Sequence, residues 1–501
     1  MKCIAATPPL VVYFYVMNKD DLLVRVRNLS VRAASGRDHR FPDCDIRFGR
    51  CTVIYGPNGS GKTWFSRLVA GEIEAKDSER QAVPALKDKV EVVSFETGLR
   101  LIEAEKHRDE SDLNGGAADL GRPVREYLGV ETALPYRFQG LIRRFRIEAL
   151  MNRGLRALSS GELRKVLILH ALIDEPLLLI LDDPFDGLDM EARKELTDFL
   201  KHLLDQCALV IVSGRRREAP EYTDQLLEIY PLEENEHSAF PDFRRYENRK
   251  LWDKIRSRNG DDGNENRKGT PLLEMKQVGV SYRDEVILRD VNWRVRAGEA
   301  WKISGPNGAG KTTLMELVNG DNPKAYGQDI YLFGRRKGSG ESVWEIKKRI
   351  GHVSPALHMR QLMGIPLMDV LLSGFFDTLG LYDKAKDIQI DEAREWSKLF
   401  GIEKYLNTSM RQVSFGIQRV ALIVRALIKR PELLLLDEPC HGLDDHNTET
   451  VLEAAQLIAE HGISTLLYVS HDPDHQVPAI THHLVLKSHK EGGYTAEVMA
   501  L

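Results

Sequence analysis

Two stretches of this chain place glycines, a lysine and a threonine at one shared spacing. Both follow the pattern G-x-x-x-x-G-K-T, from Gly56 to Thr63 and from Gly305 to Thr312. In such a loop the glycines let consecutive backbone N–H groups point into one concavity, the lysine reaches phosphate oxygens, and the threonine hydroxyl binds Mg²⁺. The sequence therefore predicts two sites for a nucleoside triphosphate. The loop residues that we expect to contact it are Gly56, Asn58, Gly59, Gly61, Lys62, Thr63, Gly305, Asn307, Gly308, Gly310, Lys311, Thr312 and Thr313.

Each loop needs a strand before it and a helix after it to hold a phosphate. Strand patterns precede the loops at 52–55 and 301–304, and helical patterns follow at 64–70 and 313–318. The N-terminus of a helix adds partial positive charge beside the phosphates. A glycine-rich turn with a purely structural role is the alternative, but two matches in equivalent contexts argue against it.

The bulk composition sets limits on the class of protein. The chain has 501 residues, of which 42% are hydrophobic and 29% charged, as in globular proteins of several domains. A net charge of −5 gives no general electrostatic reason to expect nucleic acid as a partner. The five cysteines are odd in number and lack C-x-x-C spacing, which favours reduced thiols over a disulfide framework and gives no support to a metal cluster. The apolar stretch 10–17 is far shorter than the ~20 residues that span a bilayer. We therefore expect a cytoplasmic protein, peripheral at most to the inner face of the membrane.

An internal repeat organises the chain into two halves. Asp182 and Asp437 are 255 positions apart, and so are Asp189 and Asp444. Around this repeat we predict an N-terminal extension at 1–19, a first domain at 20–230, a charged linker at 231–270 and a second domain at 271–501. The extension is expected to be dispensable, with Met17 as an alternative start.

Acidic residues end a buried strand in each half. Apolar runs at 177–181 and 433–436 lead into Asp182 and Asp437. A carboxylate at this place can bind Mg²⁺ beside the phosphate loop. The residues that we expect to bind Mg²⁺ are Thr63, Asp182, Thr312 and Asp437. Helical patterns fill the middle of each half, at 122–154 and 364–406, so the alternation of strands and helices predicts an α/β fold.

Short motifs on either side of these strands match a known family. Leu158–Glu162 and Val413–Ile417 each open a helical pattern upstream of the strands, and Gly187–Asp189 and Gly442–Asp444 follow the acids. The chain thereby resembles the tandem ATP-binding cassette (ABC) ATPases. The resemblance implies two P-loop NTPase domains, each an α/β core with a helical subdomain and an antiparallel β subdomain. It also implies hydrolysis of ATP, with ATP and Mg²⁺ as cofactors.

The same resemblance implies that the two halves pair head to tail. Each ATP would lie between the phosphate loop of one half and the signature motif of the other. A hydroxyl and bare N–H groups at the start of a helix suit a γ-phosphate. Because one chain carries both halves, we expect a monomer to suffice. The signature residues that we expect to contact ATP are Ser159, Gly161, Glu162, Ser414 and Gly416.

The second half carries the residues that the family uses for hydrolysis. Glu438 matches the acid that orients or deprotonates the attacking water, and His471 matches the switch histidine beside the γ-phosphate. Tyr282 matches the aromatic residue that stacks on adenine. We therefore expect Glu438 and His471 to be catalytic.

The first half has Asp183, Gly214 and Ala33 at these three positions. Asp183, the third candidate catalytic residue, is one methylene shorter than glutamate, and a displacement of this size could by itself cost about a hundredfold in rate. In the signature that faces this half, Phe415 and Ile417 replace the usual small residue and glutamine. We predict one hydrolytic site and one that binds ATP and turns over slowly. The alternative is that Asp183 is adequate and both sites cycle.

Three further features of the sequence have both a functional and a structural interpretation. Glu96 and Pro355 replace the glutamine that the family places after its mid-domain strand, which argues against ordinary coupling to a permease. The basic run Arg215–Arg217 and the arginines within 143–146 could bind phosphate or a partner, but we expect solvated faces. The segment 471–475 could be read as a metal cluster, but the adjacent switch strand argues against this interpretation.

The second half resembles one type of tandem ABC ATPase more closely. Through 331–348, 371–377 and 419–427 it is similar to the ModF type, soluble ATPases associated with bacterial molybdate-transport genes. The resemblance implies the ATPase component of, or associated with, a transport system such as molybdate uptake, with a separate membrane permease as partner. Two alternatives stay open. One is a free-standing regulatory or stress ATPase, and the less favoured one is a ribosome-associated tandem ABC factor.

Overall fold

The computed structural model describes most of both halves of the chain. The described residues are 17–32, 38–73, 79–94, 101–102, 104–105, 121–129, 147–158, 160–230, 269–282, 285–355, 357 and 364–501. Several predictions concern residues outside these ranges, namely those on the extension up to residue 16, Ala33, Glu96, the arginines within 143–146, Ser159 and the linker from 231 to 268.

The first half consists of short strands with helices between them. Its described strands are Leu22–Arg27 (β1), Ser30–Arg32 (β2), Asp38–Arg40 (β3), Cys44–Arg47 (β4), Cys51–Tyr55 (β5), Glu79–Ala82 (β6), Val90–Ser94 (β7), Leu178–Asp182 (β8), Ala208–Ser213 (β9) and Gln225–Glu228 (β10). Its described α-helices are Lys62–Ala70 (α1), Val124–Tyr127 (α2), Ser160–Leu172 (α3) and Met190–Leu203 (α4).

The second half repeats this order of strands and helices, with two longer strands at its start. Its described strands are Pro271–Tyr282 (β11), Glu285–Arg296 (β12), Ala300–Ser304 (β13), Asp329–Leu332 (β14), Arg335–Arg336 (β15), Ile350–Val353 (β16), Leu433–Asp437 (β17), Thr465–Val469 (β18), His482–Ser488 (β19) and Tyr494–Ala500 (β20). Its described α-helices are Lys311–Asn319 (α5), Val343–Arg349 (α6), Leu367–Ser373 (α7), Asp387–Leu399 (α8), Phe415–Leu427 (α9) and Asp445–Glu460 (α10).

A parallel sheet forms the centre of each half. In the first half the order is β10-β5-β9-β8-β7, and all neighbours are parallel. In the second half β19-β13-β18-β17-β16 repeats this arrangement within a ten-stranded sheet. Antiparallel strands complete each half, as β4-β1-β6 in the first and as β14-β11-β12 in the second. The predicted α/β fold class is confirmed.

The central strands are buried on both faces. Along β8, Leu178 and Ile180 belong to one hydrophobic cluster, whereas Leu179 and Leu181 belong to the cluster on the opposite face. The leucines of β17 alternate between two clusters in the same way. Side chains of a strand alternate between its faces, and a parallel sheet is covered by helices on both sides, so these strands carry apolar residues without interruption. Within the described ranges, no helix is both long and apolar enough to cross a membrane.

The strand topology brings the motifs to one edge of each sheet. The phosphate loops follow β5 and β13, and Asp182 and Asp437 end β8 and β17. Because the carboxyl ends of parallel strands meet at the same edge, residues that are more than a hundred positions apart come together there. The strand and helix patterns predicted around these motifs are present, with ends that differ by one or two residues.

Candidate active site

The two phosphate loops have nearly the same backbone. Gly59 and Gly308 have φ angles of +82° and +78°, in the left-handed region that glycine adopts without strain. A Cβ atom at either position would meet no other heavy atom within 4 Å, so the backbone here faces open space. This concave, bare backbone fits phosphate oxygens.

The lysine of each loop is buried and turned back onto the loop. Lys62 Nζ donates hydrogen bonds to the carbonyl oxygens of Gly56 and Pro57 at 2.8 and 2.9 Å. Lys311 Nζ makes the same contacts with Gly305 and Pro306 at 2.9 and 3.0 Å. Burial lowers the pKa of both ammonium groups, while nearby carboxylates oppose this shift. Each phosphate loop therefore carries the positive charge of one lysine ammonium group.

An acid and a threonine meet beside each loop. Thr63 Oγ1 lies 3.1 Å from Asp182 Oδ2, and the Thr312 side chain forms a hydrogen bond with Asp437. Asp437 Oδ1 is buried without a hydrogen-bond partner. Burial, together with the charge of Glu438, raises the pKa of Asp437 to about 6. An orphaned carboxylate oxygen beside a threonine hydroxyl is suited to a hard divalent cation, so the residues present fit Mg²⁺.

A carboxylate and a histidine form a pair in the second half. Glu438 has a φ of +47°, and its N–H donates to the carbonyl oxygen of Val469 at 3.1 Å. Its Oε2 atom lies 2.6 Å from His471 Nδ1. Burial acts to raise the pKa of Glu438, but the hydrogen bond with His471 and the charges of His471 and Lys311 outweigh burial, and the pKa is lowered. Glu438 is therefore held as a carboxylate that can accept a proton.

Asp183 is the residue of the first half that corresponds to Glu438. Its backbone conformation is similar, but its pKa is shifted in the opposite direction. Asp183 has a φ of +49°, and its N–H donates to Val212 O at 2.9 Å. Burial and the charge of Asp182 raise the pKa of Asp183 to about 7. In the first half Gly214 stands where the second half has His471, and a Cβ atom on Gly214 would lie 3.4 Å from Asp444 of the second half.

Each phosphate loop contacts the opposite half of the molecule. The N–H of Asn307 donates to Asp189 Oδ2 at 2.8 Å, and its side-chain Nδ2 donates to Gly187 O at 2.9 Å. In the reciprocal contact Asn58 donates to Asp444 Oδ2 at 2.6 Å and to Gly442 O at 3.2 Å. The two halves thus face each other head to tail.

The contact between the halves also brings the first half to the Glu438–His471 pair. Gly187 of the first half lines the same small cavity as Glu438 and His471. Residues of both halves therefore lie around Glu438 and His471.

The predicted signature and adenine residues that the structure describes have contacts of their own. Ser414 Oγ caps helix α9 by accepting the N–H of Ile417 at 3.3 Å. Glu162 pairs with Arg153 at 2.7 Å, and a Cβ atom on Gly161 would lie 3.2 Å from Ala192 of helix α4. Tyr282 is 43% exposed, and its hydroxyl accepts a hydrogen bond from Asn322 Nδ2 at 2.7 Å. The exposed ring of Tyr282 leaves a face on which a base could stack.

The prediction of a solvated face is wrong for two of the three arginines after Gly214. Arg215 is buried and donates to Leu443 O and Cys440 O of the second half at 2.8 and 3.1 Å. Arg217 donates to Asp472 at 2.8 Å and to Asp474 at 2.6 Å, directly after the switch histidine. Sequence analysis missed this role because a basic run on a loop carries no signal of its partner. The position of the run, directly after a missing switch residue, was the available hint.

Comparisons with known proteins agree with this geometry. The family model described as "ABC transporter" matches residues 42–186 and 288–441. The chain is 37% identical to the ABC transporter ATP-binding protein ModF of Escherichia coli (strain K12), over 90% of this chain and 94% of that protein. It is 27% identical to an ABC transporter ATP-binding protein, C323.04, of Schizosaccharomyces pombe, over 78% of this chain and 83% of that protein.

Solved structures show the same tandem fold. One is titled "Model of ribosome-bound archaeal Pelota and ABCE1", with a TM-score of 0.55 and 18% identity over 91% of this chain and 75% of that chain. A likeness at this level of identity concerns the fold alone. The family match to both halves and the similarity to ModF along nearly the whole chain go further. The chain belongs to the ABC transporter family and is a tandem ABC ATPase similar to ModF.

Proposed function

We propose that this ABC ATPase hydrolyses ATP at one of its two composite sites, the site built on the second phosphate loop and the first signature. The observation that carries this proposal is the hydrogen bond of 2.6 Å between Glu438 and His471. It orients a charged carboxylate beside a loop whose lysine and backbone N–H groups suit the phosphates. The corresponding residues of the first half are Asp183 and Gly214, and glycine has no side chain with which to orient a carboxylate.

Each residue of the proposed catalytic site has a distinct task. Glu438 accepts the proton of the attacking water, because its lowered pKa keeps it ionised at neutral pH. His471 holds the carboxylate in place through Nδ1, and Lys311 and the amides of its loop stabilise the charge that develops on the phosphate. Mg²⁺, bound by Thr312 and Asp437, would neutralise phosphate charge when present. Tyr282 would stack on adenine, and Ser159, Gly161 and Glu162 would complete the site from the first half.

The first composite site would bind ATP through Lys62 and its loop and turn over slowly, with Thr63 and Asp182 as the Mg²⁺ ligands. The shorter side chain of Asp183 supports this proposal, because catalysis of phosphoryl transfer depends on positioning. The raised pKa of Asp183 points the same way, because the protonated form cannot accept a proton. Ser414 and Gly416 of the second half would face this site.

The experiment that tests the proposal compares Glu438→Gln with Asp183→Asn at saturating MgATP. We expect Glu438→Gln to lower the steady-state rate by about a hundredfold or more, which is the usual contribution of general base catalysis. Asp183→Asn should retain most of the turnover. Equal losses would contradict the assignment to one site.

We further propose that the chain is a monomeric, cytoplasmic ATPase that serves a transport system through a separate membrane permease. The similarity to the ABC transporter ATP-binding protein ModF supports this role. Molybdate uptake is the system that the sequence resemblance to the ModF type implies. Affinity capture from native membranes and cytosol tests it. Recovery of a polytopic permease would support the proposal. Recovery of only a soluble partner would favour a free-standing regulatory ATPase, and recovery of ribosomal proteins would favour a ribosome-associated factor.

A further inference from the structure

Asn447 lies at the start of helix α10, and its side chain occupies the second signature motif. The residue is 3% exposed. Its Oδ1 atom accepts the backbone N–H of Gly416 at 2.9 Å, and the Ser414 hydroxyl donates to the same oxygen at 3.4 Å. These two groups are the signature donors that the first composite site would direct at the terminal phosphate. A side chain of the protein therefore already uses them.

The orientation of this side-chain amide is determined by its neighbours. Asn447 Nδ2 donates to Asp444 Oδ2 at 2.7 Å, and the backbone N–H of Asn447 donates to Asp444 Oδ1 at 2.7 Å. A flipped amide would place its NH₂ group against the N–H of Gly416 and its oxygen against the carboxylate. Both contacts would be repulsive, so only the observed orientation satisfies the network.

The same network reaches the first phosphate loop. Asp444 Oδ2 also accepts the N–H of Asn58 at 2.6 Å. The hydrogen bonds therefore form one chain from Gly416 through Asn447 and Asp444 to the loop of the other half. Displacing Asn447 from Gly416 would disturb a buried chain of bonds that includes a charged group, and such bonds are costly to break.

The first half provides a natural comparison. Ala192 follows Asp189 by three positions, as Asn447 follows Asp444. Its N–H donates to Asp189 Oδ1 at 2.9 Å, so the helix cap is the same. Among the described residues, a Cβ on Gly161 would meet apolar carbons of Ala192 and Leu188, at 3.2 and 3.6 Å, whereas a Cβ on Gly416 would lie 2.2 Å from Asn447 Oδ1. Ala192 has no polar side-chain atom that could compete for the signature donors.

We propose that Asn447 is an internal competitor for the terminal phosphate, so that the first composite site binds ATP and ADP with similar affinity through its phosphate loop alone. Ala192 leaves the catalytic site without such a competitor, and this difference contributes to the inequality of the two sites. The inference rests on the proposed function, because it assumes that each signature faces the phosphate loop of the other half. It adds that the first site scarcely senses the terminal phosphate.

The test measures ATP and ADP binding by calorimetry in the full chain, with Mg²⁺ present and with Lys311→Ala to confine binding to the first loop. We expect the ATP and ADP affinities of this variant to agree within about threefold. Adding Asn447→Ala frees both donors, and the preference for ATP should rise about tenfold or more, since hydrogen bonds to a charged phosphate are strong. An unchanged preference in a folded Asn447→Ala protein, judged by its thermal unfolding, would overturn the proposal.

The reciprocal change supplies an independent measurement. Ala192→Asn introduces an amide beside the first signature, and we expect the KM for ATP in steady-state hydrolysis to rise about tenfold. Ala192→Leu has a similar size and no polar atom, so it serves as the matched control. If the leucine variant loses as much as the asparagine variant, bulk rather than competition explains the effect, and the proposal is wrong.

Failure of this inference can be separated from failure of the proposed function. If Glu438→Gln retains the wild-type rate, the assignment of the catalytic site fails, whatever the Asn447 variants show. If Glu438→Gln abolishes hydrolysis and Asn447→Ala leaves the preference for ATP unchanged, only the competitor role of Asn447 is lost.

Discussion

Asp183 and Glu438 occupy the same strained backbone position in the two halves, with φ angles of +49° and +47°, and each N–H donates to the strand beside it. Left-handed backbone is unfavourable for such residues and persists where the surrounding structure imposes it. Only Glu438 has a histidine at 2.6 Å. The duplicated fold therefore preserves the backbone geometry at this position even where the side chains differ.

Where the second half has His471, the first half has Gly214, and the residues after Gly214 contact the second half. Gly214 lies against Asp444, and Arg215 and Arg217, which follow it, contact the second half. Arg217 binds Asp472, the neighbour of His471 in sequence. Arg215 and Arg217 of the first half thus form a basic clamp on the second half. Within this clamp, Arg217 holds the segment that directly follows His471.

The largest expected effect separates the two lysines. Lys311→Ala should lower steady-state ATPase activity by about a hundredfold to a thousandfold, as for other losses of groups that stabilise charge in the transition state. Lys62→Ala removes the equivalent charge from the first site and should retain most of the activity. Rates at saturating MgATP check this, and a comparable loss in both variants would show that the sites work as an obligate pair.

The next effect concerns the histidine that the first half lacks. His471→Ala leaves Glu438 without its hydrogen-bond partner, so kcat should fall by about a hundredfold, while KM changes little. His489→Ala is the control, since His489 directly follows strand β19 and accepts the N–H of Glu491 at 3.2 Å. A kcat close to that of the wild type in His471→Ala would remove the catalytic role of the pair.

A smaller effect is expected from the clamp between the halves. Arg217→Ala should lower kcat by about tenfold, because Asp472 and Asp474 lose the cation that holds the segment after His471. Arg50→Ala is the control, since Arg50 pairs with Asp20 and Asp224 within the first half. The loss in Arg217→Ala should be partly reproduced in the wild type by high salt, which screens exposed ion pairs. If Arg50→Ala lowers kcat equally, the effect is a general loss of stability.

The smallest effect is a dependence of stability on pH that involves the second half. Burial lowers the pKa of His475 to about 4, whereas an unfolded histidine titrates near its ordinary value of about 6.5. The unfolded chain therefore binds more protons between these values, and stability should fall as the pH falls from about 6.5 towards 4. His475→Gln cannot be protonated and should show a weaker fall in Tm over this window. An identical pH profile in both proteins would exclude His475 as a source of the acid lability.

The local parts of the site could be predicted because their signals are local. The glycines and the lysine of the loop Gly56–Thr63, with the strand and helix patterns beside it, lie within one short stretch of sequence. The apolar runs before Asp182 and Asp437 likewise predict buried strands. The contact between Thr63 and Asp182 could also be predicted from the sequence, because the carboxyl ends of parallel strands lie at one edge of a sheet. The domain limits and the roles of the individual site residues stay predictions.

The sequence by itself determined the duplicated α/β fold, the nucleotide chemistry and the side-chain difference between Asp183 and Glu438. Only the tertiary structure decided where Arg217 and Asn447 direct their side chains. Arg217 meets Asp472, 255 positions away, and Asn447 meets Gly416 across the packing of two helices. Such contacts have no local signal in the chain, because they arise from the way in which separate elements pack.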